Sequence, residues 1–214
     1  MWTREDAAAA RGCARLAGVD EAGRGPLAGP VVAAAVAWPS DVWRDPAWRA
    51  QWRGLTDSKK LSPARREFFF ARLTAAPGVQ CAVAAVEAPE IDRINILRAT
   101  HAAMRAALAQ LQPPPDWALV DGLPVPDLPC PGEFIIGGDG TSLTIAAASV
   151  IAKVARDRRL TELDRQYPGY GFAAHKGYGT RAHLDAIRRL GLTPEHRRSF
   201  APCAAAEQSR TGLR

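Results

Sequence analysis

Two adjacent carboxylates stand at the end of a short apolar run near the start of the chain. Asp20 and Glu21 precede a turn, residues 22–30, that contains three glycines, two prolines and an arginine. A second apolar run, residues 31–36, follows the turn. This pattern predicts a strand, a turn and a second strand. Acids at the mouth of a buried strand are costly unless a cation or hydrogen-bond donors satisfy them, so both residues are candidate metal ligands.

Other interpretations of this turn stay open. An adjacent Asp-Glu pair can also be an ordinary solvated turn. Residues 23–28 fit the Gly-x-Gly-x-x-Ala pattern of dinucleotide-binding sites as well, and that pattern requires a helix directly after the glycines. The prolines at positions 26 and 30 and the Val/Ala run behind them, which has no capping residue, argue against such a helix.

A third acid repeats the arrangement of the first. Asp121 ends the apolar run 117–120 and is followed by Gly122. Ligands of open α/β sheets gather at the carboxyl ends of the strands. Asp121 and Asp20 are therefore expected at the same edge of the sheet.

A fourth acid lies on a predicted helix. Asp157 continues the apolar face of Val150 and Val154, so it is expected to point inward. The alternative is surface pairing with a neighbouring arginine, although residues one or two apart do not face each other on a helix. Asp20 and Glu21 can both join it only if the chain bends at Glu21, since neighbours in a regular strand point to opposite faces.

The composition agrees with a polyanionic partner. The 214 residues are 47% apolar, which is enough for one domain with a proper core, and the formal net charge is +6. Four carboxylates without a His- or Cys-rich cluster suit Mg²⁺ or Mn²⁺ better than zinc. Acids of this kind on a basic protein predict two-metal phosphodiester chemistry.

Other features of the composition indicate a cytoplasmic protein. No apolar run reaches the roughly 18 residues of a membrane span, and the N-terminus lacks the features of a secretory signal. The four scattered cysteines are expected to be reduced thiols, without a disulfide framework or a zinc site.

The apolar patterning predicts an α/β domain with a mixed sheet flanked by helices. The predicted strands are 17–21, 31–37, 78–87, 117–121 and 133–136, and the main predicted helices are 63–75, 89–94, 95–112, 143–166 and 181–190. A flexible arm is expected over residues 1–16, a single domain over 17–202 with a helical C-terminal segment from about 165, and a disordered tail over 203–214. The tryptophan-rich stretch 38–53 is expected to be an irregular excursion that packs onto the body of the protein, with stacking on nucleic acid as the alternative.

Several motifs resemble the ribonuclease HII family, the type 2 ribonucleases H. Residues 19–31 (VDEAGRGPLAGPV) resemble its first motif. The similarity continues in the same order through residues 57–62, 94–100, 120–122, 145–158, 175–180 and 196–202. It covers roughly residues 17–202, and its length makes a chance match very improbable.

The resemblance implies a ribonuclease H-like fold with a five-stranded sheet and a small C-terminal helical extension. It implies endonucleolytic cutting of RNA in RNA–DNA hybrids and nicking 5′ to single ribonucleotides embedded in duplex DNA, with 3′-hydroxyl and 5′-phosphate products. The family's catalytic metal ligands fall on Asp20, Glu21, Asp121 and Asp157, the four acids selected above.

The resemblance also implies positions that contact substrate. The segment that reads the ribose 2′-hydroxyl falls on Gly23, Arg24 and Gly25. Tyr178 falls on the tyrosine that packs against the sugar, and its alternative is a core tyrosine. Lys60, Ser149 and Lys153 match positions near the phosphate backbone, although each could instead be structural. Asn95 and Thr100 resemble positions that touch the DNA strand.

The chain departs from the family pattern in places. The stretch 38–53 is longer than the usual connection, and Thr141 stands where many relatives carry lysine. The C-terminus lacks the sliding-clamp peptide of archaeal relatives, so a stand-alone monomer of bacterial type is expected. Two rival functions remain, a resolvase- or transposase-like nuclease that also cuts all-DNA substrate, and a non-catalytic nucleic-acid-binding module.

Overall fold

The computed structural model describes residues 1–211 and places five of their segments in one mixed sheet. The strands are β1 (Arg15–Ala22), β2 (Val31–Pro39), β3 (Gln80–Val86), β4 (Trp117–Asp121) and β5 (Gly132–Ile135). Their order across the sheet is β3-β2-β1-β4-β5. β2 runs antiparallel to β1 and β3, whereas β4 runs parallel to β1 and β5. The prediction of a five-stranded mixed sheet is confirmed.

Helices cover both faces of this sheet and form the C-terminal extension. They are α1 (Thr3–Ala10), α2 (Ser40–Trp43), α3 (Pro46–Ala50), α4 (Pro63–Ala75), α5 (Ala88–Ile94), α6 (Ile96–Ala109), α7 (Leu143–Gln166), α8 (Phe172–His175), α9 (Arg181–Leu190) and α10 (Ala201–Thr211). The predicted bounds of α4, α7 and α9 agree with the structure, because each helix begins after a side-chain cap, at Ser62, Ser142 and Thr180.

Alternating side chains of β1 divide the core into two layers. Leu16 packs with α7 on one face of the sheet. Ala17 and Val19 pack with α6 on the other face, against residues such as Met104. Successive residues of a strand point to opposite faces, so one buried strand serves both layers.

The long helix α7 lies unusually close to β1. A side chain at Gly18 would place its Cβ 2.2 Å from the carbonyl oxygen of Thr144, so only glycine permits this approach. The first half of α7 is lined with small residues, including Ala147, Ala148 and Ala152, all buried. This packing carries the later turns of α7 to the edge of the sheet where β1 and β4 end.

The tryptophan-rich stretch 38–53 is part of the core. Trp38, Trp43, Trp48 and Trp52 are all buried, and the ring centroids of Trp38 and Trp48 lie 5.0 Å apart. The expected packing onto the body of the protein is confirmed. The expectation of irregular backbone is wrong, since α2 and α3 form within the stretch and the Asp45 side chain caps α3.

The N-terminal segment also differs from the prediction. Residues 3–10 form α1, which is held in place by the buried carboxylate of Glu5. One Glu5 oxygen accepts hydrogen bonds from the Ser142 hydroxyl at 2.7 Å and from the Thr144 amide and hydroxyl at 2.9 Å each. These are donors at the start of α7, where unpaired amides and the helix dipole favour an anion.

The C-terminal segment is helical over much of the predicted tail. Residues 203–211 continue α10, and Cys203 is fully buried beside Leu27 and Ile187. The remainder of that prediction, residues 212–214, lies outside the described residues. All four cysteines lie within the described chain and are unpaired. None of the helices found between residues 1 and 211 combines the length and the apolar character that crossing a membrane requires.

Candidate active site

The parallel register of β1 and β4 brings two acids together. Val19 stands opposite Val120 at the end of this parallel pairing, so the next residues, Asp20 and Asp121, follow it at the same edge of the sheet. One carboxylate oxygen from each of Asp20, Glu21 and Asp121 lies within 4.8 Å of the others. The expectation that acids of separate segments converge at this edge is confirmed for these three residues.

The expected bend at Glu21 lies further along the chain. Pairing with β2 continues through Glu21, opposite Ala33, and through Ala22. The backbone leaves the strand at Gly23, whose φ of +95° suits glycine. Asp20 and Glu21 thus share the cluster although both belong to the ladder.

The electrostatics of the cluster favour a bound cation. Burial raises the pKa of Asp20 well above its ordinary value, and the charges of Glu21 and Asp121 raise it further, against hydrogen bonds from Ser149 and the Glu21 amide. Burial also raises the pKa of Glu21, while Arg24 opposes that shift. A divalent cation would remove the repulsion that raises both pKa values. Three hard oxygen donors at this spacing fit such an ion.

A separate short turn at Gly138 holds Asp121. Its Oδ1 accepts a hydrogen bond of 2.7 Å from the amide of Gly138. A Cβ at Gly138 would stand 2.5 Å from the Ile145 side chain, so glycine is required for this approach. The amide therefore fixes one oxygen of the Asp121 carboxylate.

Asp157 does not join the three-acid cluster. Its Oδ1 instead accepts a hydrogen bond of 2.7 Å from Lys153 Nζ, one helical turn earlier on α7. Residues four apart on a helix face each other, so Lys153 is a natural partner for Asp157. The sequence prediction named only the neighbouring arginines as possible partners. The inward orientation of Asp157 is consistent with its half-buried side chain.

Glu21 of the cluster lines a cleft of about 280 Å³. The cleft is lined by Glu21, Ala22, Gly23, Arg24, Gly25, Ser58, Lys59, Ser149, Lys153, Arg156 and Tyr178. The structure therefore brings together four parts of the prediction. They are the turn of residues 22–30, called the glycine turn below, the two predicted substrate contacts on α7, Ser149 and Lys153, and Tyr178. Ser149 is buried, its hydroxyl lies 2.9 Å from the Ser58 hydroxyl, and it forms part of the cleft wall next to Asp20.

Two neighbouring lysines have different positions. Lys59 lines the cleft, with its Nζ 3.9 Å from Asp139. Burial lowers the pKa of Lys59, but the surrounding aspartates outweigh it and the net shift is upward. Lys60 is exposed, outside the cleft lining and near Gly140. The sequence comparison selected Lys60 and missed Lys59, although both belong to the same motif.

A buried arginine of α7 supports the glycine turn from behind. Arg156 is 1% exposed and donates to the carbonyl oxygens of Pro30 at 3.0 Å, Ala28 at 3.2 Å and Lys176 at 3.0 Å. A Cβ at Gly23 would stand 2.0 Å from Arg156 Nε. No helix follows the glycines, because β2 begins at Val31, so the dinucleotide interpretation is wrong.

A second buried arginine, from the C-terminal segment, holds the same turn. Arg197 is 0% exposed and donates to the carbonyl oxygens of Gly23 at 2.6 Å, Arg24 at 2.8 Å and Gly29 at 2.8 and 3.0 Å. Sequence reasoning missed both arginines. The apolar residues four positions to either side of Arg156, Ala152 and Leu160, were the available signal, whereas nothing local distinguishes Arg197 from Arg198.

Tyr178 belongs to the cleft surface. Its side chain is 47% exposed, which excludes the alternative of a core tyrosine, and a Cβ at Gly25 would stand 3.7 Å from its ring. The preceding Gly177 packs directly against Ala28. A Cβ at Gly177 would come within 2.4 Å of the Ala28 carbonyl oxygen, so a side chain has no room there. The loop of residues 176–180, called the tyrosine loop below, thus packs directly onto the glycine turn.

The two positions assigned to the DNA strand serve α6. Asn95 caps the helix by accepting from the Arg98 amide at 3.1 Å, and its φ is +70°. Thr100 is buried and donates to the Ile96 carbonyl at 2.8 Å. A direct contact between the Thr100 hydroxyl and substrate is not supported by this position.

Known proteins share both the sequence and the fold. The family model for ribonuclease HII matches residues 17–203. A ribonuclease HII of Geobacillus kaustophilus is 56% identical over 193 residues, which cover 90% of this chain and 70% of the relative. The crystal structure of ribonuclease H2 from Pyrococcus horikoshii is similar with a TM-score of 0.73 and 27% identity, over 91% of this chain and 98% of that one.

A more distant structure shares the fold at lower identity. The crystal structure of Bst-RNase HIII in complex with Mn²⁺ has a TM-score of 0.68 and 20% identity, over 94% of this chain and 71% of that one. The matched family region contains the acid cluster, the glycine turn and the tyrosine loop. By this match and by the identity to its relatives, the chain belongs to the ribonuclease HII family and is a hydrolytic nuclease.

Proposed function

We propose that this ribonuclease H, besides cutting RNA in RNA–DNA hybrids, nicks duplex DNA on the 5′ side of a single embedded ribonucleotide. Family membership supports the endonucleolytic action on hybrids. The observation that carries the finer proposal is that Glu21, one of the three clustered acids, lines the same cleft as the glycine turn and Tyr178. A site that both hydrolyses and recognises one sugar needs these two parts side by side.

The glycine turn is suited to reading a ribose hydroxyl. Only the 2′-hydroxyl, which is both donor and acceptor, distinguishes RNA from DNA at one nucleotide. Gly23 and Gly25 carry no side chain, so the backbone of the turn can approach a sugar closely. Arg156 and Arg197 occupy the carbonyl groups on the inner side of the turn, which keeps its backbone rigid.

The three acids are suited to hold a divalent metal ion, Mg²⁺ or Mn²⁺. The raised pKa values of Asp20 and Glu21 and the mutual distances of the three carboxylates support this role, as does the Mn²⁺ complex of Bst-RNase HIII. In a two-metal scheme, such ions activate the attacking water and stabilise the leaving oxygen. A second ion requires a further ligand, and Asp157 could supply it only by exchanging its ion pair with Lys153.

The chain's own cations are placed to bind the phosphate. Lys153 and Lys59 line the cleft together with Arg24, and Arg24 lies 3.4 Å from Glu21. Cations beside Glu21 in the cleft lining would orient a phosphodiester there. We infer that cleavage leaves a 3′-hydroxyl and a 5′-phosphate, since attack by water on phosphorus expels the 3′ oxygen.

Matched duplexes test this proposal. Two end-labelled DNA duplexes of the same sequence, one with a single ribonucleotide, are incubated with the protein in Mg²⁺ and separately in Mn²⁺. We expect one nick, 5′ to the ribonucleotide, and extension of the product by a DNA polymerase shows its 3′-hydroxyl. Equal cutting of both duplexes would instead favour the DNA nuclease alternative.

Asp121→Asn tests the catalytic role of the acid cluster. The amide removes one anionic ligand at constant shape, so cleavage should fall by at least about 10²-fold while duplex binding is retained. Without metal, the variant should melt at the same or a higher temperature, because one of three repelling charges is gone. Asp41→Asn, at an exposed acid outside the cleft, is the matched control. Unchanged cleavage by Asp121→Asn would contradict the catalytic role of the acid cluster, whereas binding without cleavage by the unmodified protein would favour the non-catalytic binding module.

The proposal also covers the setting in which the enzyme acts. We infer that it acts in the cytoplasm, as a monomer and without a sliding clamp, in ribonucleotide excision and in the removal of RNA from hybrids. Sedimentation of the protein alone and with a ribonucleotide-containing duplex tests the monomeric state. A second protein copy per duplex would contradict it.

A further inference from the structure

Three histidines form a buried cluster beneath the tyrosine loop. His183 of α9 is 0% exposed and His196 of the C-terminal segment is 1% exposed. The ring of His175, at the end of α8, stacks on His183 with centroids 4.4 Å apart and planes inclined by 16°. None of these imidazoles lines the active-site cleft, so their effect on it must act through the backbone.

The proton positions at one end of the cluster follow from a backbone carbonyl. His183 Nδ1 lies 2.9 Å from the carbonyl oxygen of Tyr178. A carbonyl oxygen can only accept, so Nδ1 of His183 must carry the proton. The remaining nitrogen of a neutral His183, Nε2, is then an acceptor.

The proton positions at the other end follow from a backbone amide. The Thr193 amide donates to His196 Nδ1 at 2.9 Å, and the Thr193 hydroxyl lies at the same distance. An amide can only donate, so Nδ1 of His196 must be unprotonated. A neutral His196 therefore carries its proton on Nε2.

These two requirements fit each other at the centre of the cluster. The Nε2 atoms of His183 and His196 lie 3.1 Å apart, which allows one proton between them. His196 supplies that proton and His183 accepts it. A single chain of hydrogen bonds thus runs from the Thr193 amide through both imidazoles to the Tyr178 carbonyl.

The chain exists only while both rings are neutral. A proton added to His196 would face the Thr193 amide, and a proton added to His183 would face the Nε2 proton of His196. The positive charge of Arg198 also opposes protonation of His196. Burial is the main reason that the pKa of each ring is lowered to about 4.

His175 fixes the other side of the same loop. The Gly177 amide donates to His175 Nδ1 at 3.2 Å, and His175 Nε2 lies 2.8 Å from the Tyr170 carbonyl. His175 is therefore also a neutral ring with one defined tautomer. Residues on both sides of Tyr178 are held by imidazoles, while its own side chain remains half-exposed in the cleft.

We propose that His183 and His196 are positioning residues for Tyr178, acting through this one-directional chain of hydrogen bonds. The chain fixes the carbonyl of Tyr178 and thereby the position of its ring against Gly25 in the cleft lining. Its importance for cleavage rests on the proposed function, in which Tyr178 contacts the sugar beside the scissile bond. The tautomers themselves do not depend on that function.

Nitrogen NMR of the unmodified protein tests the chain without any substitution. In protein labelled with ¹⁵N-histidine at pH 7.5, His183 should show a protonated Nδ1, and His196 and His175 a protonated Nε2. His101, which is only partly buried and has no hydrogen-bonded ring partner among those described, is the internal control and should show exchanging tautomers. The opposite tautomer, or an imidazolium, at His183 or His196 would overturn the proposal.

A double-mutant cycle tests the effect on catalysis. His183→Ala should lower kcat/KM for the single-ribonucleotide duplex about tenfold, the effect of one lost positioning hydrogen bond. His183→Asn, which can place an amide donor near the same carbonyl, should recover much of this loss. Added to Tyr178→Ala, the His183→Ala change should have little further effect, because its action passes through Tyr178.

The outcomes separate the two claims. Additive effects of His183→Ala and Tyr178→Ala would overturn the positioning role even if the enzyme recognises ribonucleotides. Cutting of all-DNA and ribonucleotide duplexes at equal rates by the unmodified enzyme would contradict the proposed function, while the NMR tautomers would still decide whether the chain exists.

Discussion

At the scale of single residues, the active site is constrained by the charges of its acids and by the space available at its glycines. The carboxylates of Asp20, Glu21 and Asp121 repel one another, and two of them have raised pKa values as a result of burial and this repulsion. Gly23 is equally constrained for a steric reason, since Arg156 fills the space where a side chain would stand. Charge and volume thus limit this site at adjacent positions.

Gly23→Ala tests the steric constraint. Alanine is strained at the positive φ of this position, and its methyl group would clash with the buried guanidinium of Arg156. The free energy of unfolding should therefore fall by about 2 kcal/mol or more. Gly12→Ala is the matched control, because Gly12 has a similar φ of +86° but no atom within 4 Å of the added carbon. Urea unfolding measures both variants. Equal losses would show that backbone strain alone matters and that Arg156 can move at little cost.

At the scale of elements, the glycine turn is held by side chains from distant segments. Arg156 comes from α7, and Arg197 comes from the segment before α10. Their guanidinium groups satisfy carbonyl oxygens that no regular ladder pairs. The turn is therefore rigid although it lacks secondary structure of its own.

Arg197→Lys tests this support. A single ammonium group cannot reach the carbonyl oxygens of Gly23, Arg24 and Gly29 together, so we expect a loss of about 3 kcal/mol in unfolding free energy. Discrimination between ribonucleotide and all-DNA duplexes should also fall. Arg198→Lys is the matched control, since that neighbour is half-exposed and pairs with Glu207 on the surface. A variant as stable and selective as the unmodified protein would contradict the support.

The N-terminal helix offers a second test at this scale. Glu5→Ala removes the acceptor for three donors at the start of α7, which should cost about 2 kcal/mol, or about 4–8 °C in melting temperature. Cleavage at low temperature should remain, because Glu5 lies outside the cleft. The comparison variant is Asp6→Ala, whose exposed carboxylate contacts Arg49. Equal melting temperatures for the two variants would argue against a role for Glu5 in holding α1.

At the scale of the whole molecule, the buried histidines make stability depend on pH. Burial lowers the pKa of His183 and His196 from 6.5 to about 4, so the unfolded chain binds protons more readily than the native one. Their contribution to stability is complete above about pH 6.5 and is lost as the pH falls toward 4. Asp20 and Glu21 have the opposite effect, since their raised pKa values favour the protonated native form.

Melting curves against pH test this dependence. The unmodified protein and His183→Asn share the contribution of the acids, so the difference between their curves reports the histidines. Between about pH 6.5 and 4, the melting temperature of the unmodified protein should fall more steeply than that of the variant. Parallel curves would contradict neutral, buried imidazoles.

Much of the fold could be predicted from the sequence because its signals are local. The bounds of α4, α7 and α9 follow from apolar periodicity and from the hydroxyl groups that cap each helix. The termini were harder to predict. Glu5 and Cys203 are buried only because distant segments cover them, and no local pattern of residues records such a partner.

The sequence by itself determined which segments form strands, the family, and three of the acids that cluster. It could do so because strand ends and motifs are patterns of consecutive residues. Tertiary structure alone decided that Asp157 pairs with Lys153, that Arg156 and Arg197 hold the turn, and that two histidines face each other. The physical reason is that burial changes what a polar side chain must do. Once water is excluded, each must find a partner, and here that partner is often a carbonyl oxygen more than a hundred residues away.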